Sequence, residues 1–328
     1  MQITKLIGAS VLGLGLTLSQ ALAADVSGKT LGIVVVTSQS ESLAEWTQQL
    51  TTAAETLGWD VIVKDGENNP ALLATKIPEL LVQGADGIIT MAVDAPLISE
   101  GLTSAKEQGV PVIATDVGVN PAGAELFTGV YTIDDYKLGE IMGNYILDKD
   151  PDAVAVGQTI QIVYAANNAV EGAKSILGEK LVEIADTDAA NLVQSFTQTT
   201  VDLVQGHPDA KWFVTCCDFA PLMVLPALQS VQADDVTFVG RIENVSTLQA
   251  IRGGSKAAIV ANRPYYGLAA IDAMAAFFAD GTEIPATRPD LTGDLVVVDA
   301  SNVPEDRMYP FADELAVYQA AWAEKYGK

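Results

Sequence analysis

Hydrophobic and polar positions follow two alternating patterns along the chain. Short runs rich in β-branched residues, such as the run over residues 31–37, are typical of strands buried in a parallel sheet. Between such runs, apolar residues recur at helical spacing, as over residues 41–57, where Gly58 follows as a helix stop. Further strands are predicted at 60–64, 86–91 and 111–115 and near 127–130, 160–165, 181–185, 211–216, 236–240, 257–261 and 295–298. This alternation predicts an α/β fold of right-handed βαβ units, with helices on both faces of doubly wound parallel sheets.

The number of predicted strands favours two lobes over one. About eleven strands are more than one open sheet of this size usually carries, whereas two sheets of five or six strands fit well. A chain of 328 residues is also long for a single hydrophobic core. The first candidate boundary is the segment 131–134, where a predicted strand ends and a helix begins without a Gly/Ser-rich linker. We therefore expect two lobes tied by short hinge segments.

The first 23 residues have the pattern of a secretory signal peptide. Lys5 supplies a positive charge, residues 6–18 are uncharged and apolar or small, and Ala21 and Ala23 have the spacing of a cleavage site. The apolar run is too short for a membrane-spanning helix, and no later run reaches the ~20 residues required. We expect cleavage after Ala23, export without stable membrane insertion, and a periplasmic location in a Gram-negative cell. A buried N-terminal helix is the alternative.

Composition and charge exclude several classes of function. Lys and Arg total 18 against 42 Asp and Glu, which gives a formal net charge of −24. Nucleic-acid binding needs a basic surface, so a nucleic-acid partner is excluded, and anionic lipid surfaces are disfavoured. The sole histidine, His207, lies in a predicted turn, and no Ser–His–acid set, metal-ligand cluster or phosphate-binding glycine loop is present. We therefore expect no catalysis, no metal site and no cofactor.

Polar side chains follow most of the predicted strands. Ligands of open α/β sheets bind beyond the carboxyl ends of the strands, so these side chains define a candidate site. Their donors and acceptors suit a small ligand that is rich in hydroxyl groups or zwitterionic. Helix capping and turn formation are the alternative role for each of them. The candidate residues at these strand ends are Ser38, Gln39, Ser42, Met91, Asp116, Asn167, Cys217, Asp218, Arg241, Glu243 and Asn262.

Five motifs, taken in order, resemble those of a known family. DGENNP at 65–70, QGADGII at 83–89 and GVPVIATD at 109–116 are similar to segments of the ribose-binding-protein-like periplasmic solute-binding proteins of ABC importers. GEIMG at 139–143 resembles the helix that opens their second lobe, and NRP at 262–264 matches their last crossover. The resemblance covers essentially all of the chain after residue 23.

This resemblance implies the type I periplasmic binding protein fold, in which two Rossmann-like lobes are joined by three hinge crossings, the third near residues 292–293. The expected N-terminal lobe comprises residues 24–131 and 263–291, and the expected C-terminal lobe comprises residues 132–262 and 292–328.

The same resemblance implies a function. The chain would be the substrate-binding component of an ABC importer and would capture a small polar solute, such as a sugar or polyol, between two closing lobes. The implied partners are that solute and a membrane permease, and the protein would act as a monomer. A periplasmic sensor that presents its ligand to a chemoreceptor or kinase is the alternative.

The ligand positions of the family carry over in part. Asp116 matches the carboxylate that binds sugar hydroxyls, and Asn262 stands where an amide is expected, so we expect both to contact the ligand. The arginine that commonly follows the carboxylate is Val117 here, and the paired aromatic residues of the first loop are absent from residues 39–43. Trp46 is a candidate replacement for these aromatics, because sugar faces pack on aromatic rings. Packing of Trp46 in the core is the alternative.

Arg241 requires a partner if its guanidinium is buried at the end of its strand. One expectation is that Arg241 discriminates among ligands by pairing with an anionic or strongly polar group. The alternative is an internal pair with Glu243.

Cys216 and Cys217 are the only cysteines, and export would place them in an oxidising compartment. A vicinal disulfide would hold their Cα atoms about 3.8 Å apart, below the usual ~4.4–6.8 Å, so two free thiols are the alternative. Because neighbouring residues of a strand face opposite sides, we expect Cys217 to line the cleft and Cys216 to face the core.

Overall fold

The computed structural model describes residues 24–161, 163–188, 191–262, 265–293 and 295–328. The expected signal peptide, residues 1–23, and the expected crossover at residues 263 and 264 lie outside these ranges. No helix among the described residues combines the length and the apolar character needed to cross a membrane.

The first lobe is built on a parallel sheet near the start of the described chain. Its strands are β1 (Thr30–Val35), β2 (Asp60–Asp65), β3 (Gly87–Met91), β4 (Val112–Thr115) and β5 (Gly129–Tyr131), in the order β2-β1-β3-β4-β5. Its connecting helices are α1 (Glu41–Thr56), α2 (Pro70–Val82) and α3 (Ala95–Glu107). The strand order reverses between β1 and β3, so a ligand is expected beyond the carboxyl ends of these strands.

The second lobe repeats this plan with one exception. Its strands are β6 (Ala155–Thr159), β7 (Leu181–Asp186), β8 (Trp212–Thr215), β9 (Thr237–Arg241), β10 (Ala257–Ala261) and β11 (Val296–Val298), in the order β11-β10-β9-β8-β6-β7. Its helices are α4 (Asp135–Lys149), α5 (Tyr164–Leu177), α6 (Leu192–Gly206), α7 (Pro221–Ser230) and α8 (Val245–Arg252). The edge strand β11 is antiparallel to β10, whereas the other pairs are parallel. The predicted α/β fold with two separate sheets is confirmed.

One predicted strand is wrong. A strand was expected near 160–165, but β6 ends at Thr159 and α5 begins at Tyr164. After β6, the Val163 amide donates to the Ile160 carbonyl at 2.9 Å, a contact between residues three apart that an extended strand does not make. The real strand contains Gln158, a residue atypical of a buried strand, whose Nε2 is satisfied by the carbonyl of Phe196 at 3.0 Å.

Close helix packing positions the beginning of the second lobe. Helices α4 and α5 approach so tightly that a Cβ atom at Gly139 would lie 1.9 Å from the carbonyl oxygen of Ala169. A Cβ atom at Gly172 would lie 2.0 Å from the carbonyl oxygen of Tyr136. The glycine-containing motif at 139–143 therefore allows backbone contact between these helices, and this contact orients the first turn of α4 toward the cleft.

The last two helices both return to the first lobe. Helix α9 (Tyr265–Asp280) packs on α1, and helix α10 (Phe311–Tyr326) packs on α9 and α1. In α10 the fully buried Trp322 donates its indole N–H to Asp272 of α9 at 2.9 Å. The expected division assigned residues 292–328 to the C-terminal lobe. The placement of α10 differs because the bulky side chain of Trp322 is buried against the first lobe.

Candidate functional site

The carboxyl ends of strands from both lobes enclose a cavity of about 100 Å³. Its described polar lining residues are Thr37, Ser40, Asn68, Asp116, Asp218 and Arg241. Its described apolar lining residues are Val36, Leu43, Ala92, Ile160, Val163, Ala166, Leu192, Cys217 and Phe219. The cavity therefore combines a small charged cluster with a largely apolar wall, and both lobes contribute to each part.

Arg241 is the central cation of this cluster. It ends β9, is 5% exposed, and donates its Nε–H to the carbonyl oxygen of Cys216. Its Nη1 lies 2.7 Å from Oδ1 of Asp135 and 3.9 Å from Oδ1 of Asp116. The internal partner of Arg241 is therefore Asp135, in the first turn of α4, and the alternative of an internal pair with Glu243 is wrong. Glu243 instead accepts a hydrogen bond from the backbone N–H of Met308 at 3.2 Å.

Asp116 follows β4 with a left-handed backbone, at φ 55°. Its Oδ1 has no hydrogen-bond partner among the described residues, and Nη1 of Arg241 lies 3.9 Å from it. Burial raises the pKa of Asp116 to about 8, and the positive charge of Arg241 opposes this rise. Asp116 is thus a carboxyl group placed where a ligand can supply the hydrogen bond that the protein does not.

Asp218 joins the two lobes across the cavity. Its Oδ2 accepts hydrogen bonds from the hydroxyl groups of Ser42 and, at 3.4 Å, Ser40. Ser40 is also the N-cap of α1, where its side chain accepts from the N–H of Leu43. Burial raises the pKa of Asp218, and the Ser42 hydroxyl opposes this by stabilising the carboxylate. The first turn of α1 therefore rests on a carboxylate of the other lobe.

A second group of contacts surrounds this junction at the rim. The Ser246 hydroxyl of the second lobe donates to Oε2 of Glu41 at 2.6 Å. One turn further along α1, Glu45 forms an ion pair with Arg307. The two lobes are thus held closed by several polar contacts along one side of α1.

The predicted ligand residues fall into three groups. Asp116, Cys217, Asp218 and Arg241 line the cavity, and Ser42 contacts one of these residues directly. Gln39 lies outside the inner cavity, at an outer opening shared with Asn68 and Leu192. The remaining predicted residues do not line the inner cavity. They are Ser38, Trp46, Met91, Asn167, Glu243 and Asn262.

The structure shows where three of the predicted residues that do not line the cavity lie. Ser38 turns outward and hydrogen-bonds Asp65. Asn167 lies within α5 and not after a strand, because β6 ends earlier than predicted. Asn262 is buried after β10, at 6% exposure. The position of Asn167 follows from an error in a strand end and that of Ser38 from a local turn, neither of which the sequence pattern alone resolves.

Trp46 and Met91 line a separate cavity of about 20 Å³ behind the site. The Trp46 ring packs edge-on against Tyr266, with ring centroids 5.3 Å apart. Core packing, the alternative role for Trp46, is therefore observed. The hydroxyl of Tyr266 has no hydrogen-bond partner within the described chain, and burial together with the charge of Asp116 raises its pKa.

Cys216 and Cys217 are joined by a disulfide across a trans peptide bond, with Cα atoms 3.8 Å apart. Cys217 lines the cavity, whereas Cys216 is fully buried in the core of the second lobe. The disulfide is thus part of the apolar wall.

Sequence reasoning missed Asp135, because an acidic residue in a first helical turn is adequately explained by the helix dipole. No cluster of three or more His, Cys, Asp or Glu side chains suited to a metal ion occurs in the part of the chain that the structure describes.

Comparisons with known proteins agree with this architecture. Residues 31–283 match the family described as the periplasmic binding protein domain, a family of binding proteins and not of enzymes. The ribose import binding protein of Bacillus subtilis is 25% identical over 238 residues, covering 72% of this chain and 76% of the relative. The corresponding protein of Escherichia coli is 25% identical over 251 residues, covering 75% of this chain and 84% of the relative.

A solved structure shows the same fold. An ABC transporter solute-binding protein from Mycobacterium smegmatis, with bound glycerol, superposes with a TM-score of 0.74 at 20% identity, covering 86% of this chain and 99% of that one. The family match extends from β1 through β10 and thus includes every strand except the edge strand β11, and every strand end that lines the cavity. Together with the two-lobed architecture, this match confirms the resemblance found in the sequence: the chain belongs to the periplasmic binding protein family.

Proposed function

We propose that this chain is the substrate-binding component of an ABC importer and captures a small sugar or polyol between its lobes. The observation that carries the proposal is the interlobe cavity, in which Asp116 of one lobe and Asp218 of the other face the same space. Carboxylates accept hydrogen bonds from hydroxyl groups, and a polyol offers several such donors. Two relatives are ribose import binding proteins, and the similar solved structure contains bound glycerol. Both support this class of ligand.

Opening and closing of the lobes would admit the ligand. Asn68 and Leu192 line both the inner cavity and an outer opening, so this side is the expected route of access. Separation of the lobes would break the contact between Ser42 and Asp218. Closure then removes the ligand from water while carboxylates from both lobes contact it.

The proposal includes the remaining elements of such an import system. The protein is exported to the periplasm with removal of residues 1–23, acts as a monomer, and delivers its solute to a membrane permease. The relatives' description as import binding proteins supports the partnership with a permease.

A thermal-shift screen of the mature protein against neutral sugars and polyols tests the proposal. A ligand at 100 times its dissociation constant adds about 2.7 kcal/mol to the free energy of unfolding. Asp116→Ala is expected to weaken binding of the best compound about tenfold to a hundredfold, because a hydrogen bond to a charged group is lost. Asp152→Ala, at an exposed position, is the matched control. Unchanged affinity in the Asp116 variant, measured by calorimetry, would remove this residue from the site.

A further inference from the structure

The charges around the cavity do not balance. Among the described residues that form the cluster, the acids are Asp116, Asp135 and Asp218, whereas the base is Arg241. One guanidinium can neutralise one carboxylate, so the cluster carries a formal charge of −2 when all of its members are ionised. The rim adds Glu41 and Glu45 from α1 and Glu243 from the second lobe, with Arg307 among them. A ligand that enters this region meets a predominantly negative field.

Two nitrogen atoms of the Arg241 guanidinium already contact groups of its own lobe. Its Nε–H is donated to the carbonyl of Cys216, and its Nη1 contacts Asp135 at 2.7 Å. Both partners belong to the second lobe, so these contacts persist when the lobes separate. An anionic ligand would share the guanidinium with Asp135, which already neutralises its charge, and would also approach two further carboxylates. The geometry therefore disfavours a carboxylate or phosphate ligand.

Asp116 and Asp218 are the two carboxyl groups among the described residues that line the cavity and are not paired closely with Arg241. Oδ1 of Asp116 has no hydrogen-bond partner within the described residues, and Asp218 receives side-chain hydrogen bonds from the neutral hydroxyl groups of Ser40 and Ser42. The apolar wall beside them, which includes Phe219, makes an uncompensated carboxylate costly. Burial accordingly raises the pKa of both aspartates. A neutral hydroxyl would supply a hydrogen bond but would not stabilise the ionised carboxylates, whereas a bound cation would lower the pKa of both groups and so favour an ion pair.

We propose, as a refinement that rests on the proposed function, that the ligand carries an ammonium group and is an amino sugar or amino polyol. The ammonium group binds Asp116 and Asp218, to which it supplies both hydrogen-bond donors and the missing positive charge. The carbon skeleton packs on the apolar wall, which includes Cys217 and Phe219. The formal charge of −24 of the whole chain further favours the approach of a cation.

Two matched sets of compounds test the inference by calorimetry on the mature protein at neutral pH. The small set is glycerol, serinol and glycerate, and the larger set is sorbitol, glucamine and gluconate. Each set offers a hydroxyl, an ammonium or a carboxylate group on a similar carbon skeleton. In at least one set, the amine is expected to bind about tenfold more tightly than the alcohol, a difference of about 1.4 kcal/mol. The carboxylate is expected to bind most weakly.

Asp116→Asn and Asp218→Asn remove one charge each while keeping the shape of the side chain. Each variant is expected to lose most of the preference for the amine over the alcohol, and Asp152→Asn is expected to retain it. If a variant fails to fold, the comparison of serinol with glycerol in the unmodified protein still decides the question.

The outcomes separate the inference from the proposed function. Alcohols that bind as tightly as the amines, or more tightly, would overturn the amine inference and leave the capture of polyols standing. An amine preference that survives in both Asn variants would also overturn it. Failure of all six compounds to bind at millimolar concentration would contradict both proposals.

Discussion

Arg241 and Arg307 are both cations of the interlobe region, yet they connect different parts of the molecule. Arg241 is 5% exposed and pairs with Asp135 of its own lobe. Arg307 lies at the rim, where it forms an ion pair with Glu45 of α1 and donates from Nη1 to the carbonyl oxygen of Glu243 at 3.3 Å. One of these cations is held within a lobe, and the other is held between the lobes.

This difference separates the chemistry of the cleft from its closure. Asp135 and Cys216, the closest partners of Arg241, belong to its own lobe, so separation of the lobes would leave these contacts intact and would remove only the distant contact with Asp116. Arg307 contacts both lobes, and it must lose either Glu45 or Glu243 when they separate. We therefore expect Arg241 to keep the second lobe's part of the cleft in place, and Arg307 to affect how readily the lobes close.

The largest expected effect comes from breaking the pair within the second lobe. Asp135→Ala would leave the buried guanidinium of Arg241 without its closest partner, and the expected loss is about 3–5 kcal/mol in the free energy of unfolding. Urea denaturation measures this loss. Asp152→Ala, which removes an exposed carboxylate, is expected to change stability by less than about 0.5 kcal/mol. A loss in the Asp135 variant no larger than in this control would show that the pair does not stabilise the lobe.

A smaller effect is expected at Asp116, which lies 3.9 Å from the same guanidinium. Burial raises the pKa of Asp116 to about 8, whereas the unfolded chain ionises near its ordinary value of about 4. Between these values the folded state binds more protons than the unfolded state, so the contribution of this group to stability falls as the pH rises. Asp116→Asn removes this titration.

The Asp116→Asn variant should therefore gain stability relative to the unmodified protein as the pH rises from about 4 to about 8, by at most about 1.4 kcal/mol for each pH unit. Thermal unfolding of the ligand-free proteins at several pH values measures the gain. A stability difference that stays constant across this range would mean that Asp116 ionises normally in the fold.

The smallest effect on folding is expected for the pair between the lobes. Arg307→Ala or Glu45→Ala is expected to change the free energy of unfolding by about 0.2–1 kcal/mol, because the pair is partly solvated. Each variant should also bind ligand more weakly, since the closed form loses one contact. A double-mutant cycle on the affinity for the best-binding compound of the glycerol or sorbitol set measures the coupling. Strictly additive effects would show that the pair does not contribute to closure.

The sequence predicted regular elements better than it predicted their ends. Strands such as β1 and β10 consist of continuous apolar runs, and both were found close to their predicted positions. Ile160 and Val163, which follow β6, are also β-branched, yet they lie outside the strand and line the cavity. Propensity cannot distinguish these cases, because burial against the other lobe stabilises an apolar loop as well as an apolar strand. The misplacement of Asn167 followed directly from this ambiguity.

Side-chain roles were harder to predict than side-chain locations. Trp46 occupies the apolar stripe of α1, and only its contact with Tyr266 shows that it packs in the core and not in the cleft. Cys217 lines the cavity at the strand end where it was expected, but the disulfide with Cys216 was one of two open alternatives.

The sequence by itself determined the α/β class, the division into two sheets, the acidic character and the ring of polar residues at strand ends. These properties are encoded locally, in the period of apolar positions and in composition. The tertiary structure alone decided that Asp135 meets Arg241 across 106 residues, that α10 returns to the first lobe, and that Oδ1 of Asp116 has no hydrogen-bond partner among the described residues. These contacts depend on strand order and on the closing of one lobe against the other, so the chemistry of the cleft emerges only when distant segments are brought together.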